Sequence, residues 1–534
     1  MATTLARMPI SEPLRRLDNL ALLFQEVFTV IARLRDGRQR LSDAEVFRMQ
    51  MRNALKSVEQ EGLRRGYEME ELRVGTFAVV AFLDEVILAS RDPVFQDWPD
   101  QTLQLELFGV EVAGEIFYRD VERLLARQDS ECLADLLEVH SICLLLGFRG
   151  RCNGAKRETD RTLEQLGEKI RRIRGEVSAA EWRPAAPLSP VPLRRRAVRE
   201  WLPAFALLPR SKQASAEATA EINLHFAEAA KRMRTARGVK QIAALPVVFM
   251  LGNAGSAKTN LLVNAGIDAE LLAGQAFEEA TVIPTRSVNF WYGCGTLFVD
   301  PAGAVLADAA VRRRLFRKFA AAHLHSLFPS KTPPARSVVL TVDCGTFFQS
   351  GGAETLAATA RHFQAVLREL ARELQLDFPV YVVFTKADRI PYFRDFMANL
   401  SEGEAAEACG VTLSGDQTLS GAFQNLYCFL TEERNALLAR EQNANHLATI
   451  YEFPREFAKI RPLLLQFLMD LCTPNDVGGG PFLRGFYFTG VRPTMPKDGS
   501  PAGQQWLFPK RLFSEVILAD HRLSPLKIST FSQA

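Results

Sequence analysis

No stretch of this chain offers 18 consecutive apolar residues. The nearest candidates, "LALLFQEVFTVIA" and "VVLTVDCGTFF", are interrupted by polar groups or too short, so no helix is expected to cross a bilayer. The N-terminus "MATTLARMPISEPLRR" lacks a charged start followed by an apolar core, and no secretory signal is expected. Charge of one sign is equally scarce: the formal net charge is +3 over 534 residues with acidic and basic side chains interspersed, which gives no basis for nucleic acid as a partner. The eight cysteines show no CxxC or CxxH spacing and the seven histidines no HExxH pair. A metal centre held by such side chains is not expected; the thiols, most of them in apolar surroundings, are expected to be buried and free, as in a reducing compartment.

What is present describes a multidomain globular chain, 47% hydrophobic and 24% charged. Residues 1–181 read as an all-α helical bundle. Leu17, Ala21, Phe24, Phe28 and Ile31 recur at three- and four-residue steps, one buried helix face, and Gly37 and Gly66 stand where helices stop. Residues 182–219 read as a linker, stiffened by four prolines between 184 and 192. Its "RRRAVREWLPAFALL" is either a basic-then-apolar stretch that rests on an anionic membrane surface or a patch docked on one of the domains. From residue 220 to 416 apolar β-prone runs ("ALPVVFML", "GTLFVD", "SVVLTVDC", "FPVYVVFT") alternate with helical stretches, the pattern of a mostly parallel sheet covered on both faces. Residues 417–534 read as a helical extension followed by a tail of short strand, loop and helix.

Phosphate chemistry is written into "VVFMLGNAGSAKTNLLVNAG". Strand, tight loop and helix follow one another, so successive backbone N–H groups and a helix start converge on one point. The loop pattern G-x-x-x-x-G-K-[ST] is met at Gly252, Lys258 and Thr259 and missed at Ala257, where its last glycine belongs. Asn253, Ala254, Gly255, Ser256, Ala257 and Asn260 complete the candidate cradle. Lys258 would neutralise phosphates and the Thr259 hydroxyl would ligate magnesium, while the Ala257 methyl restricts the backbone and weakens or abolishes binding. Three further motifs follow in GTPase order. "VIPTRSVNFW" offers Thr285 to the metal, "LFVDPAG" offers Asp300 to the metal and Gly303 to a terminal phosphate, and "YVVFTKAD" offers Thr385, Lys386 and Asp388 to a guanine base. The fold expected here is a P-loop GTPase-like α/β domain, with GTP or GDP and magnesium as candidate ligands and Thr259, Thr285 and Asp300 as the metal set. Ala304 and Val305 follow Gly303 where a water-positioning glutamine would stand, and Arg286, the nearby candidate for an arginine acting on a transition state, is read instead as packing or forming a salt bridge. No catalytic residue is assigned, and hydrolysis is expected to be weak or absent.

Other polar features read as structural. Asp84 and Glu85 in "FLDEVIL" point about 100° apart on a helix, so they cannot share a substrate as an acid/base pair and are taken as helix-end partners or interface contacts. Arg149 and Arg151 in "GFRGRCNG" mark a turn, and Trp98 and Trp291 are expected in packing.

With these residues in view the chain resembles two families joined in one polypeptide. "FAVVAFLDEVIL", "DWPDQTLQLELFGVEVAGEIFYRDVERLL" and "LEVHSICLLLGFRGR" are similar to the DotU (TssL-like) family, and the region from about 221 to 520 resembles the cytoplasmic part of the IcmF (TssM-like) family through its loop, "TRSVNFWYGCGTLFVDPAG", "PVYVVFTKADRIPYF", "FPREF" and "FLRGFYFT". The resemblance implies a component of a type VI secretion membrane complex, or of its type IVB relative. It also implies placement in the cytoplasm at the inner face of the bacterial inner membrane, with membrane-complex and baseplate proteins as partners. The two parts would pair within the chain. Three departures from the families stand out: the covalent fusion, the missing membrane helices, and the end near "LFSEVILADHR" without a periplasmic region. A soluble variant and a piece of a longer chain both fit them.

Overall fold

The computed structural model describes residues 19–150, 156–175, 212–278, 281–320, 334–374, 376–413, 417–472, 481–493 and 503–523. The chain divides into two compact units, Met1–Ser178 with Gln424–Arg455, and Ala179–Phe423 with Glu456–Ala534.

The first unit is helical: α1 (Leu20–Leu23), α2 (Gln25–Arg35), α3 (Ala44–Arg64), α4 (Met69–Ala89), α5 (Leu103–Phe108), α6 (Ala113–Ala126), α7 (Glu131–Leu145) and α8 (Lys156–Arg174). Side-chain oxygens of Asn19, Asp43, Thr102 and Ser130 cap α1, α3, α5 and α7, satisfying backbone donors that a helix start leaves free. The periodic face expected from Ala21, Phe24, Phe28 and Ile31 is fully buried; Leu17 lies outside the described residues. Gly37 and Gly66 end α2 and α3 at φ values of 66° and 87°, a left-handed turn that glycine adopts without strain. Helices α4 and α7 form the centre, and their buried faces carry charged groups. His140 of α7 donates from Nδ1 to the Leu136 carbonyl at 2.8 Å, while its buried Nε2 has no hydrogen-bond partner among the described residues.

Burial pushes the His140 imidazole from the ordinary 6.5 down to about 4. Because the folded-state value is the lower one, the unfolded chain takes up the proton first, and stability falls as pH drops below 6.5 until it levels near 4. At pH 5 the loss amounts to about 2 kcal/mol relative to neutral pH. Urea unfolding of the first unit at pH 7 and pH 5 should show this extra loss in the wild type and not in His140→Phe; equal losses in both would refute it.

Helix α9 (Lys212–Arg237) opens the second unit. It starts inside the stretch read as linker; residues 182–211, with the Arg-rich segment, lie outside the described residues. The elements that follow are β1 (Val247–Gly252), α10 (Lys258–Val263), β2 (Glu270–Ala273), the two-residue strands β3 (Phe277–Glu278) and β4 (Thr281–Val282), β5 (Val288–Gly293), β6 (Thr296–Pro301), α11 (Gly303–Ala307), α12 (Ala309–Arg317), β7 (Arg336–Asp343), α13 (Gly352–Leu374), β8 (Pro379–Thr385), α14 (Phe393–Met397), α15 (Glu402–Ala406) and β9 (Cys409–Thr412). Helices α16 (Leu419–Arg440) and α17 (Ala444–Ala458) each belong in part to both units. After them come α18 (Arg461–Cys472), β10 (Phe482–Phe488), β11 (Gly490–Pro493), β12 (Gln504–Leu507), α19 (Pro509–Arg511), a π-helical turn (Leu512–Ile517) and α20 (Leu518–Leu523).

Eight strands form one sheet in the order β2-β5-β6-β1-β7-β8-β10-β9. The run β6-β1-β7-β8-β10 is parallel, and the outer pairs β2/β5, β5/β6 and β10/β9 are antiparallel. The expectation of a mostly parallel sheet with helices thus holds. Strand β1 is buried along its whole length, which is why "VVFML" reads as a continuous apolar run and not as alternation. Val248, Met250, Phe298, Val339, Tyr381 and Tyr487 pack on one face against α10 and the π-helical turn. On the other face Phe249 meets Phe316 and Phe319 at ring distances of 5.8 and 5.4 Å. From β1 the chain runs through α10 to the edge strand β2 and returns through β5 to β6 beside β1, and it then continues to β7 on the other side, so the carboxyl ends of these strands form the switch-point crevice of an open sheet.

Of the seven described cysteines, Cys143, Cys344, Cys409 and Cys428 are buried, and burial raises the first three thiols well out of the physiological range. Cys294 departs from the expectation: it is exposed at the β5–β6 hairpin turn, at a φ of 48°.

Candidate nucleotide site

The expected motifs meet at that crevice. Gly252, Asp300 and Thr385 stand at the carboxyl ends of β1, β6 and β8, parallel members of one sheet, so residues far apart in sequence reach one place. The loop between β1 and α10 has an exposed tip at Asn253, Ala254 and Gly255 and buried shoulders at Ser256, Lys258 and Thr259. Gly252 is held at a φ of 152°, and a Cβ there would come within 2.2 Å of the Thr341 Oγ1. Ala257 takes φ 60° and ψ 26°, the left-handed conformation that a glycine in its place would take freely. The backbone of the loop therefore keeps its turn despite the methyl, at a strain of roughly 1–2 kcal/mol. Among the described residues, no backbone carbonyl accepts from the N–H groups of Gly255, Ala257, Lys258 or Thr259.

Lys258 is buried, and its ammonium donates to the carbonyls of Gly252 at 3.0 Å and Asn253 at 3.2 Å. Burial lowers its pKa, opposed by the nearby Asp300 carboxylate. Asp300 is fully buried; its Oδ2 accepts from the Thr259 hydroxyl at 2.7 Å and the Thr285 hydroxyl at 3.0 Å. The two hydroxyls lie 3.2 Å apart, so the three residues assigned to magnesium form one oxygen cluster. The other carboxylate oxygen, Oδ1, has no partner at hydrogen-bond geometry among the described residues. Burial raises the Asp300 pKa, while Lys258, the two hydroxyl donors and the neighbouring Asn289 amide pull the other way.

The base-side motif is tied into the same loop. Thr385 donates to the Ser256 carbonyl at 3.0 Å and Lys386 to the Gly255 carbonyl at 2.7 Å, so the "TKAD" turn braces the β1–α10 loop. Lys386 also takes a left-handed backbone, at φ 55°. Asp388 is engaged internally: Val491 N–H donates to its Oδ1 at 3.3 Å, and Arg394 lies 3.2 Å from Oδ2. Both are long contacts on a carboxylate that is only 12% exposed. Gly303 opens α11 close to the loop tip, where a Cβ would stand 3.0 Å from the Ala254 nitrogen. Asn260 lies half-buried in α10, and its carbonyl accepts from Asn264. Arg286 is exposed and has no bonded partner among the described residues, and Ala304 offers no group to orient a water.

Three contributors escaped the sequence reading. Asn289, buried on β5, donates to the Thr285 hydroxyl at 3.2 Å and positions it. Thr341 on β7 accepts or donates at 2.7 Å with Ser256. Asp343, at the end of β7, accepts from Lys386 at 2.9 Å and from the Gly345 N–H at 2.8 Å. Its place at a strand end, like that of Asp300, was the available signal. Asp84 and Glu85 lie elsewhere, in the first unit. Asp84 accepts from Trp98 Nε1 and the backbone of Leu103 and Gln104, and Glu85 from the backbone of Arg149 and Gly150. Each carboxylate fastens a separate piece of backbone, so the structural assignment holds. Trp98 and Trp291 are buried in packing; Arg151 lies outside the described residues.

Comparison with known families places two stretches of the chain. The family described as type VI secretion system protein DotU matches residues 19–210, and the IcmF-related N-terminal domain matches residues 331–530. The chain is a DotU/IcmF-like fusion. The type VI secretion system component TssM1 of Pseudomonas aeruginosa is 30% identical over 271 residues, covering 48% of the fusion and 24% of that protein. The fusion thus matches about a quarter of that relative's length. Among solved structures, the cytoplasmic domain of TssL from Acinetobacter baumannii is 28% identical with a TM-score of 0.28, covering 29% of the fusion and 99% of that domain. SciP/TssL of enteroaggregative Escherichia coli 042 is 21% identical with a TM-score of 0.25, covering 30% and 92%. Among the described residues of the fusion, no helix is long and apolar enough to cross a membrane.

Proposed function

We propose that the fusion is a structural and assembly component of a type VI secretion membrane complex, acting at the cytoplasmic face of the inner membrane. Its DotU-like and IcmF-like parts pair within one chain, and its crevice is a degenerate guanine-nucleotide site. Support for the secretion role comes from the two family matches and the TssM1 relative. For the site, one observation carries the reading: among the described residues a fully buried Asp300 leaves one carboxylate oxygen without a partner at hydrogen-bond geometry, beside two hydroxyls and a buried ammonium that binds carbonyls. Buried charge left so incompletely satisfied is disfavoured unless a ligand completes it.

The residues fit magnesium and a phosphate chain. Thr259, Thr285 and Asp300 would hold the metal, directly or through water, and Lys258 with the free N–H groups of the loop would hold phosphate oxygens. A bound magnesium nucleotide would supply compensating charge of both signs. Asp388 would read guanine after releasing Arg394. With no group to orient water, the site is expected to bind without efficient turnover, and the protein acts through what it assembles. An active GTPase switch is the alternative function.

Titration of the purified chain with labelled GTP and ATP, with and without magnesium, tests this. GTP is expected to bind only with magnesium, in preference to ATP, and without measurable release of phosphate. Turnover of GTP would establish the switch instead, and no binding of either nucleotide up to millimolar concentration would refute the nucleotide site. Since Ala257 already holds the left-handed turn, Ala257→Gly is expected to stabilise the chain by about 1 kcal/mol and to tighten GTP binding less than tenfold. A larger gain in affinity would mean that the methyl itself obstructs the ligand.

A further inference from the structure

The first unit contains a piece from the far end of the chain. Residues 424–455, the inner parts of α16 and α17, pack in the same compact unit as the N-terminal bundle. Their contacts centre on one helix, α2. Arg434 of α16 is fully buried, donates to Gln25 Oε1 at 2.6 Å and lies 4.2 Å over the Tyr451 ring. Asn435 donates to Glu138 of α7 at 2.8 Å. On α17 the ring of Tyr451 meets Phe28 edge-on at 5.7 Å. Glu452, fully buried, accepts from Arg33 at 2.8 and 2.5 Å and pairs with Arg38 at 2.8 Å. Arg455 forms a two-pronged pair with Glu26, both contacts at 2.8 Å.

The charges are reciprocal. The hairpin brings a carboxylate to the bundle's Arg33 and Arg38, and an arginine to the bundle's Glu26. Such a pattern sets orientation and rejects a shifted register, because any slip sets like charges together. On α2, Glu26 and Arg33 share one stripe and the buried Gln25 and Phe28 the next, so the contacts span a broad face; on α17, Tyr451 and Arg455 stand four positions apart on one stripe with Glu452 beside it. Glu138 collects the bundle's own Asn19 and Arg174, both at 2.6 Å, as well as Asn435. Burial alone would raise its carboxyl, yet Arg174 and these donors hold it below the usual value.

We propose that the α16–α17 hairpin is the docking element by which the IcmF-like part holds the DotU-like bundle, with the α2 face of Gln25, Glu26, Phe28 and Arg33 and with Glu138 as its seat. This rests on the pairing reading above and names the surface responsible. The interaction is non-covalent and needs no chain continuity, so it persists after the connection between the two parts is cut.

The full chain with a protease site inserted after Ser189 tests this. After cleavage the two fragments are expected to elute together. Glu452→Arg should weaken their association roughly a hundredfold, since it leaves Arg33 and Arg38 facing a like charge. Glu26→Arg and Arg455→Glu, at more exposed positions, should each weaken it about tenfold, and the double exchange should restore it. That restoration separates a docking defect from misfolding. Fragments that stay together in every variant at every dilution would overturn the hairpin and leave the pairing reading intact. Wild-type fragments that separate on cleavage would overturn both.

Discussion

Replacing Asp84 by alanine is expected to lower the stability of the first unit by ~3–6 kcal/mol. The carboxylate is fully buried on α4 and accepts from Trp98 Nε1 at 2.9 Å, Leu103 N at 3.1 Å and Gln104 N at 2.7 Å. Alanine would leave all of these donors in the interior without an acceptor, and each orphaned group costs about 1–3 kcal/mol. Burial raises the Asp84 pKa, so part of the gain is offset by the cost of keeping a carboxylate out of water. Even so, losing the acceptor is worse than retaining the charge, because the donors stay where packing holds them. Asp84→Asn should fall between, since one amide oxygen can still serve Trp98 and Leu103. The check is hydrogen exchange of the amides in α4 and α5, together with the thermal midpoint of the first unit, expected to drop by roughly 10–20 °C. A drop of only a few degrees would show that water or a neighbouring acceptor takes over.

Asp300→Asn is expected to act in opposite directions on stability and binding. The substitution removes a buried charge while keeping an oxygen for Thr259 and Thr285, so the ligand-free chain should become more stable by about 1–2 kcal/mol. Magnesium-dependent GTP binding should weaken on the order of a thousandfold, because the metal loses its only anionic protein partner in the cluster, worth several kcal/mol. Stabilisation together with lost binding is the signature of a site that keeps an unfavourable group for its ligand. A merely structural Asp300 would give a destabilised variant, and thermal melts with and without magnesium GTP distinguish the two. The same measurement bears on the assembly role: a variant that loses nucleotide yet still pairs its two parts would show that pairing and nucleotide binding are separate properties.

The secretion assignment and the site stand on different supports. The family matches cover residues 19–210 and 331–530, and the candidate phosphate loop at 252–260 falls between them. The nucleotide reading therefore depends on the geometry of Lys258, Thr259, Thr285 and Asp300 themselves.

Much was legible in the sequence because it is local. Buried helix faces show in the spacing of Ala21, Phe24, Phe28 and Ile31, and helix ends in Gly37 and Gly66, because periodicity and backbone freedom act over a few residues. The parallel sheet shows in unbroken apolar runs such as "VVFML", since a strand covered on both faces has no solvent side to mark. The site motifs were readable for the same reason: strand, loop and helix lie consecutively around Lys258, and Asp300 and Thr385 each end a strand. Tertiary structure decided the rest. Whether Ala257 breaks the loop depended on a backbone angle, and the left-handed turn survives. Whether Asp388 is free depended on Arg394 and Val491, which no spacing connects to it. Asn289 and Asp343 joined the site only through strand pairing. Likewise, nothing in residues 424–455 announces that they pack with a bundle about 400 positions earlier: their apolar faces show only that something covers them. Which surface does so is set by complementary charge and shape between distant segments, and a one-dimensional pattern does not carry that information.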